Sequence, residues 1–358
     1  MQGRMALVAG FLLLAPAMAT VADPVRVSAP SSDPEHFVFF GLERDRIRET
    51  SFLETEAIAG AQLKYTWKEL EPEKGQYELR HLRHDLAFLE RNGKKLFVQL
   101  QDVSFFEKNV LVPDYLRNDP EFGGGADRQF ELDGDDETTA RPGGWVARRW
   151  DASVEARFVL LLQKLGEVLD GRIAGINLPE TSVEFGESGQ LYPRGFTPAG
   201  YVKAIQRQMS ATRSAFPRSH VIQYANFMPG EWLPWNDRGY LRAVYEHAER
   251  IGVGVGGPDL LPHRKGQQTH SHPLIAERGP GTIAGVAVQD GNFAIDPASG
   301  ERTTAEELLQ FATERLRLDY MFWGTEEPYY SQQVLPLLRK LSAVGATEGR
   351  QPAGNIER

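Results

Sequence analysis

The chain has no cysteine in 358 residues, which excludes disulfides, thiolate nucleophiles, lipid anchors on cysteine and Cys-based zinc or iron–sulfur sites. It lacks a basic excess as well: 40 Lys and Arg stand against 49 Asp and Glu, a formal net charge of −9. Such a chain has no footprint for a polyanion such as nucleic acid. Long apolar runs are missing too, since a helical membrane span needs about 20 residues. The run from Met5 to Ala15 is too short for that; it follows Arg4 and precedes Pro16 and Ala17-Met18-Ala19. Charge, short apolar core and small residues are the pattern of a signal peptide, expected over residues 1–22 with cleavage after Ala19 or Ala22, which would make the protein periplasmic or secreted. Absent, finally, is a G-x-G-x-x-G turn opening a helix. The glycines at 123–125 and 252–257 read as a flexible loop and a strand end, which argues against a nucleotide-binding open sheet.

What is present is an alternation of short apolar runs with amphipathic stretches, the pattern of a parallel sheet with crossover helices. Eight runs read as strands: His36–Leu42, Ala61–Thr66, Lys95–Leu100, Ile173–Leu178, His220–Tyr224, Gly252–Gly256, Gly285–Gln289 and Asp319–Trp323. Helices are expected over Leu79–Arg91, Ala152–Leu169 behind an Asp151 cap, Pro198–Phe216, Arg238–Arg250 and Ser331–Ala343, with a Thr304/Glu307 capping box before Leu308. The composition, 41% hydrophobic, can fill one large core without disulfides. The expected architecture is α/β: a single-domain (β/α)8 TIM barrel over residues 36–343, with a lead-in at 23–35 and a flexible tail at 344–358. A long insertion after the third strand, 101–150, is rich in Asp, Gly and Pro and weak in periodicity. Barrel active sites are built on that face, so the insertion is expected to be a lid or cleft wall.

Residues 67–77 read Trp-Lys-Glu-Leu-Glu-Pro-Glu-Lys-Gly-Gln-Tyr. This W-x-x-x-E-P-x-x-G-x-Y phrase, with the helix and strand after it, resembles the second strand to third strand of the large clan of (β/α)8 glycoside hydrolases that includes β-galactosidases, β-xylosidases and cellulases. Pro72 and Gly75 shape a loop, and Trp67 and Tyr77 either pack it or touch sugar. The resemblance implies an acid/base Glu at the end of the fourth strand and a nucleophilic Glu at the end of the seventh. The fourth ends Ile176-Asn177-Leu178-Pro179-Glu180, similar to the clan's Asn-Glu ending with two residues inserted. Glu180 is therefore the expected acid/base, Asn177 a contact to a sugar hydroxyl, and Glu184 the reserve. The seventh departs from the pattern, ending Val288-Gln289-Asp290 with no Glu. Asp290 is the candidate nucleophile; Gln289 competes for the place, and an amide cannot form a glycosyl-enzyme ester. On the eighth, Trp323 resembles the clan's sugar-stacking Trp, and Glu326 is a second possible partner for Glu180.

Other strand ends are polar where a pure core would be apolar: Glu43 and Arg44, Lys64 and Tyr65, Gln99, Gln101 and Asp102, Gln223, Tyr224 and Asn226, and Asp259. Buried amides and charges cost free energy unless a polar ligand or water meets them, so their concentration at the C-terminal ends points to a polar ligand, which the resemblance implies is carbohydrate. His263, His270 and His272 match no metal-ligand spacing and read as loop residues, so neither metal nor cofactor is expected. Three functions compete: a glycoside hydrolase acting on an oligo- or polysaccharide, retaining if Glu180 and Asp290 are its pair; a catalytically inactive carbohydrate-binding barrel, favoured by Gln289; and a metal-dependent hydrolase resting on the histidines alone.

Overall fold

The structure, a computed structural model, describes residues 33–133 and 136–348. The expected signal peptide and the last ten residues of the expected tail lie outside the described residues. The eight strands are β1 (Glu35–Gly41), β2 (Ile58–Thr66), β3 (Lys95–Gln101), β4 (Gly175–Leu178), β5 (His220–Tyr224), β6 (Gly254–Gly257), β7 (Ala284–Val288) and β8 (Tyr320–Gly324). All pair in parallel and close on themselves in chain order, β8 returning to β1 through Phe37 opposite Phe322 and Val38 opposite Trp323. The expected (β/α)8 barrel is the fold.

Alternation along each strand divides the core in two. Phe37, Phe39, Phe97, Ile222, Tyr224, Ala287, Tyr320 and Phe322 fill the barrel interior, while residues of opposite parity, such as Val38, Leu63, Val98, Ile176, Met321 and Trp323, pack outward in the larger cluster with the helices. The helices begin where the caps predict. Asp151 accepts from the amides of Ser153 and Val154 ahead of Ala152–Leu169, and Thr304 with Glu307 forms the capping box before Ala305–Gln310. The helix Tyr240–Ile251 has no cap in its own sequence. Buried Glu231 supplies one, accepting from the amides of Arg238, Tyr240 and Leu241.

Two expectations need correction. The last helix, Leu335–Glu348, runs past Ala343; Gly345 is too weak a breaker, at about 1 kcal/mol, to stop a packed helix. The insertion after β3 is ordered rather than periodless loop. It forms a helix at Asp114–Asn118 and an antiparallel hairpin, Ala126–Asp133 against Asp136–Ala147, whose second strand also pairs with Val103–Ser104. Gly125 belongs to this packing, with φ of +65° and a position where a Cβ would stand 2.5 Å from the Leu116 carbonyl oxygen. The hairpin docks on the segment after β4: Phe130 N–H donates to the Glu184 carbonyl, Gln129 accepts from the Glu184 amide, and the Glu137 carboxylate accepts from the amides of Glu187 and Ser188.

Candidate active site

Two residues above the aromatic filling, the inward positions turn polar. Gln62 on β2 reaches across the lumen, its Nε2 donating to Asn177 Oδ1 at 2.8 Å and to the Tyr224 hydroxyl at 2.9 Å. One step higher stand Lys64, on the parity of Gln62, and Gln99 and Gln101, on the parity of Phe97. Five amide atoms in this group are buried with no hydrogen-bond partner among the described residues: Gln62 Oε1, Gln99 Oε1, Gln101 Oε1, Asn177 Nδ2 and Asn226 Oδ1.

Glu180 follows β4 at this level and is held by three elements. Asn226 Nδ2 donates to its Oε2 at 2.8 Å, its carbonyl accepts from Arg149 Nη1 at 2.7 Å, and the next residue, Thr181, donates its amide to the Tyr224 carbonyl at 3.0 Å. Gln223 braces the bend, donating to the Pro179 carbonyl at 2.7 Å. Arg149 is itself fully buried, paired with Asp102 at 2.5 Å and donating to the Tyr201 hydroxyl at 2.6 Å. Burial pushes the Glu180 carboxyl up to about 7, and the charge of Asp259 adds to the rise. The Asn226 hydrogen bond, Arg149 and Lys64 oppose it.

The other acidic groups differ from one another. Asp259, after β6, is raised by burial against hydrogen bonds from Asn292 Nδ2 at 3.0 Å and Gln289 Nε2 at 3.4 Å, with Asp290 adding to the rise. Glu326, after β8, is raised by burial and by the charges of Asp290 and Glu43, while Lys64 lowers it. It folds over Gly324, where a Cβ would meet Glu326 Oε2 at 2.2 Å. Asp290 itself is exposed on a one-turn 3-10 helix and accepts from its neighbour's amide, Gly291 N, at 2.7 Å. Gln289 is turned to β6, donating to the Pro258 carbonyl at 2.9 Å. Lys64 is pulled below its ordinary value by burial, against the raising effect of Glu180 and Glu326.

The structure thus brings Glu180, Lys64, Gln99, Gln101, Asn177, Tyr224, Asn226, Asp259, Gln289, Asp290 and Glu326 to the C-terminal ends of the strands. It does not bring Tyr65, Trp67 or Trp323 there, and this corrects three expectations. With Lys64 inward, Tyr65 must face outward; it is buried and donates to Asp85 Oδ2 at 2.9 Å. Trp323 follows inward Phe322, so it lies wholly buried in the outer core, its Nε1 donating to Nδ1 of His36 at 3.2 Å. Burial lowers that histidine to about 4, consistent with a neutral acceptor ring. Trp67 packs edge-on against Phe158 at 5.0 Å and donates to Glu71 at 3.1 Å. The W-x-x-x-E-P-x-x-G-x-Y phrase is a clasp: buried Glu71 also accepts from Gly75 N at 3.0 Å and pairs with Arg157, which reaches Tyr77.

Residues that sequence reasoning missed are Arg149 and Asn292. Arg149 lies in an Arg-Arg-Trp stretch with no motif, and Asn292, which accepts from the amides of Gln289 and Leu260, is one turn past β7. The histidines separate: His263 faces Asp296 at 3.4 Å, His270 accepts from Leu233 N at 2.9 Å, and His272 is buried against Phe311. Among the described residues no group of three or more His, Asp or Glu is placed to hold a metal ion, and no helix is long and apolar enough to cross a membrane.

Solved structures share this fold. The GH5_18 protein from Streptomyces cattleya in complex with GlcNAc is 14% identical with a TM-score of 0.54, over 92% of this chain and 83% of that one. A variant of that protein in complex with Manb1-4GlcNAc gives the same identity and score over 90% of this chain and 83% of that one. A β-galactosidase from Rahnella sp. R3 is 10% identical with a TM-score of 0.51, over 89% of this chain and 57% of that one. No family model matches the chain, and none of the curated proteins matches it. The class defined at these identities is one of fold: a (β/α)8 barrel of the kind found in glycoside hydrolases.

Proposed function

We propose that the protein is an exported glycoside hydrolase that cleaves an oligo- or polysaccharide at the barrel mouth, with Glu180 as general acid. The observation that carries this reading is Glu180 itself, a carboxyl raised to about 7 and aimed by Asn226 and Arg149. A group that holds its proton near neutrality can give it to a departing glycosidic oxygen. The unpartnered amides beside it offer what sugar hydroxyls need. Export rests on the N-terminal sequence pattern.

For the second carboxylate, Asp259 is a better candidate than Asp290. Its negative charge adds to the rise at Glu180, and Asn292 and Gln289 orient it, whereas Asp290 is exposed. Retaining pairs stand about 5–5.5 Å apart and inverting pairs about 6.5–9.5 Å, so the separation of the Glu180 and Asp259 carboxyls decides between the two outcomes. Gln289 then serves Asp259 instead of replacing a nucleophile. The second reading, an inactive carbohydrate-binding barrel, draws on the same Gln289.

The two separate in one series. Wild type, Glu180→Gln, Asp259→Asn and Asp290→Asn are assayed for turnover and for oligosaccharide binding. The hydrolase reading expects kcat to fall by about 10²–10⁴ in Glu180→Gln, comparably in Asp259→Asn, and mildly in Asp290→Asn, with binding kept throughout. A wild type that binds oligosaccharides and turns over none selects the binding barrel.

A further inference from the structure

The loop after β5, residues 225–239, carries two exposed tryptophans, Trp232 at 46% and Trp235 at 66%. Their exposure is built in. The Trp232 ring stacks on Phe227, 5.6 Å between centroids and 5° between planes, with His270 against it at 4.8 Å. His270 is fixed in turn, accepting from Leu233 N through one ring nitrogen and meeting the Gly266 carbonyl at 2.8 Å through the other. Lys265 lies over one face of Trp235 at 4.7 Å. Large apolar surface held in place and left open to water marks a binding surface.

This platform is continuous with the candidate active site. Asn226 grips the Glu180 carboxylate, and the next residue, Phe227, accepts through its carbonyl from Thr181 Oγ1 at 2.7 Å. One turn of backbone therefore presents an amide to the acid and an aromatic ring to whatever lies beside it. We propose that Trp232, backed by Phe227, and Trp235 beyond it form a subsite that stacks on the C–H faces of further units of an uncharged polysaccharide running out over the β5 rim. The substrate is then polymeric, an inference that rests on the proposed function for its carbohydrate class. Flat aromatic faces suit sugar rings as they suit other apolar faces. Asp259, Asp290, Glu326 and Glu43 bear on the mouth against Lys64 and Arg264, with Arg149 already paired to Asp102; this excess of carboxylates disfavours acidic sugars, and the net charge of −9 disfavours nucleic acid.

The test is native affinity electrophoresis of the full chain through gels containing soluble galactomannan, xylan, hydroxyethylcellulose or laminarin. Trp232→Ala and Trp235→Ala are compared with wild type and with Leu160→Ala, an exposed apolar residue on a helix (41%) that serves as control. At least one polymer should retard wild type and the control equally. Trp232→Ala should lose that affinity by about tenfold or more, Trp235→Ala by less, and affinity for a disaccharide filling only the place beside Glu180 should hardly change. Equal retardation of Trp232→Ala and wild type overturns the proposal, as does a wild type that none of the four polymers retards. A wild-type dimer in sedimentation that Trp232→Ala dissociates also overturns it, because the patch then joins copies of the chain. Repeating the gels with Glu180→Gln keeps the two readings apart: retardation without turnover by wild type would sink the hydrolase and leave the platform standing.

Discussion

The same strands build two storeys of one barrel, and the storeys obey different rules. The lower is aromatic, with Phe97 edge-on to Phe322 at 4.9 Å and to Phe37 at 5.6 Å. Two residues further along, on the same parity, Phe97 gives way to Gln99 and Gln101, Gly60 to Gln62 and Lys64, and Gly175 to Asn177. A barrel needs the lower storey to fold. It does not need the upper one, where each buried polar atom without a partner costs about 1–3 kcal/mol. The difference separates what the fold requires from what a ligand would use.

The comparison breaks most visibly at Phe97. Its truncation to Ala should cost about 3–5 kcal/mol in urea denaturation, because its ring fills the space between Phe37, Tyr320 and Phe322. A loss under about 1 kcal/mol would deny the lower storey its structural role.

Glu180 should show the opposite economy, through pH. Its folded value of about 7 lies above the ordinary 4.5, so between those values the folded state holds a proton that the unfolded chain has released. Stability attributable to Glu180 is then greatest below about 4.5 and falls as pH rises to about 7. Relative to wild type, Glu180→Gln should gain up to about 3 kcal/mol across that window and nothing further above it. A difference independent of pH would contradict the raised value.

Gln99→Leu sharpens the contrast with the smallest change in stability. Removing a buried amide whose Oε1 has no partner should leave stability unchanged or raise it by about 1 kcal/mol. Oligosaccharide affinity should fall about tenfold. Equal losses in both would make Gln99 an ordinary core residue.

How much of this was legible follows from parity. The eight apolar runs and their caps fixed the barrel, and the polar strand ends pointed to its mouth. But a strand cannot send both Lys64 and Tyr65 into the lumen, or both Phe322 and Trp323. Applying that period-2 rule to the candidates would have removed Tyr65 and Trp323 in advance, since the aromatic ring of each suited sugar as well as it suited the outer core. The hairpin in the insertion was hidden because Thr138-Thr139-Ala140-Arg141-Pro142-Gly143-Gly144 carries turn residues inside a strand. Its pairing is set by contacts with Ser104 and Glu184, far away in sequence. Arg149 was invisible for a related reason: its partners Asp102, Tyr201 and the Glu180 carbonyl converge only in the fold.

The central claim is that Glu180 keeps its proton near neutral pH, and direct titration tests it. Carboxyl-carbon NMR of the full chain, with Glu180→Gln as the blank, should reveal one resonance absent from the variant that titrates near 7. A Glu180 resonance titrating near the ordinary 4.5 would contradict the account, because the group would be ionised at neutral pH with no proton to give.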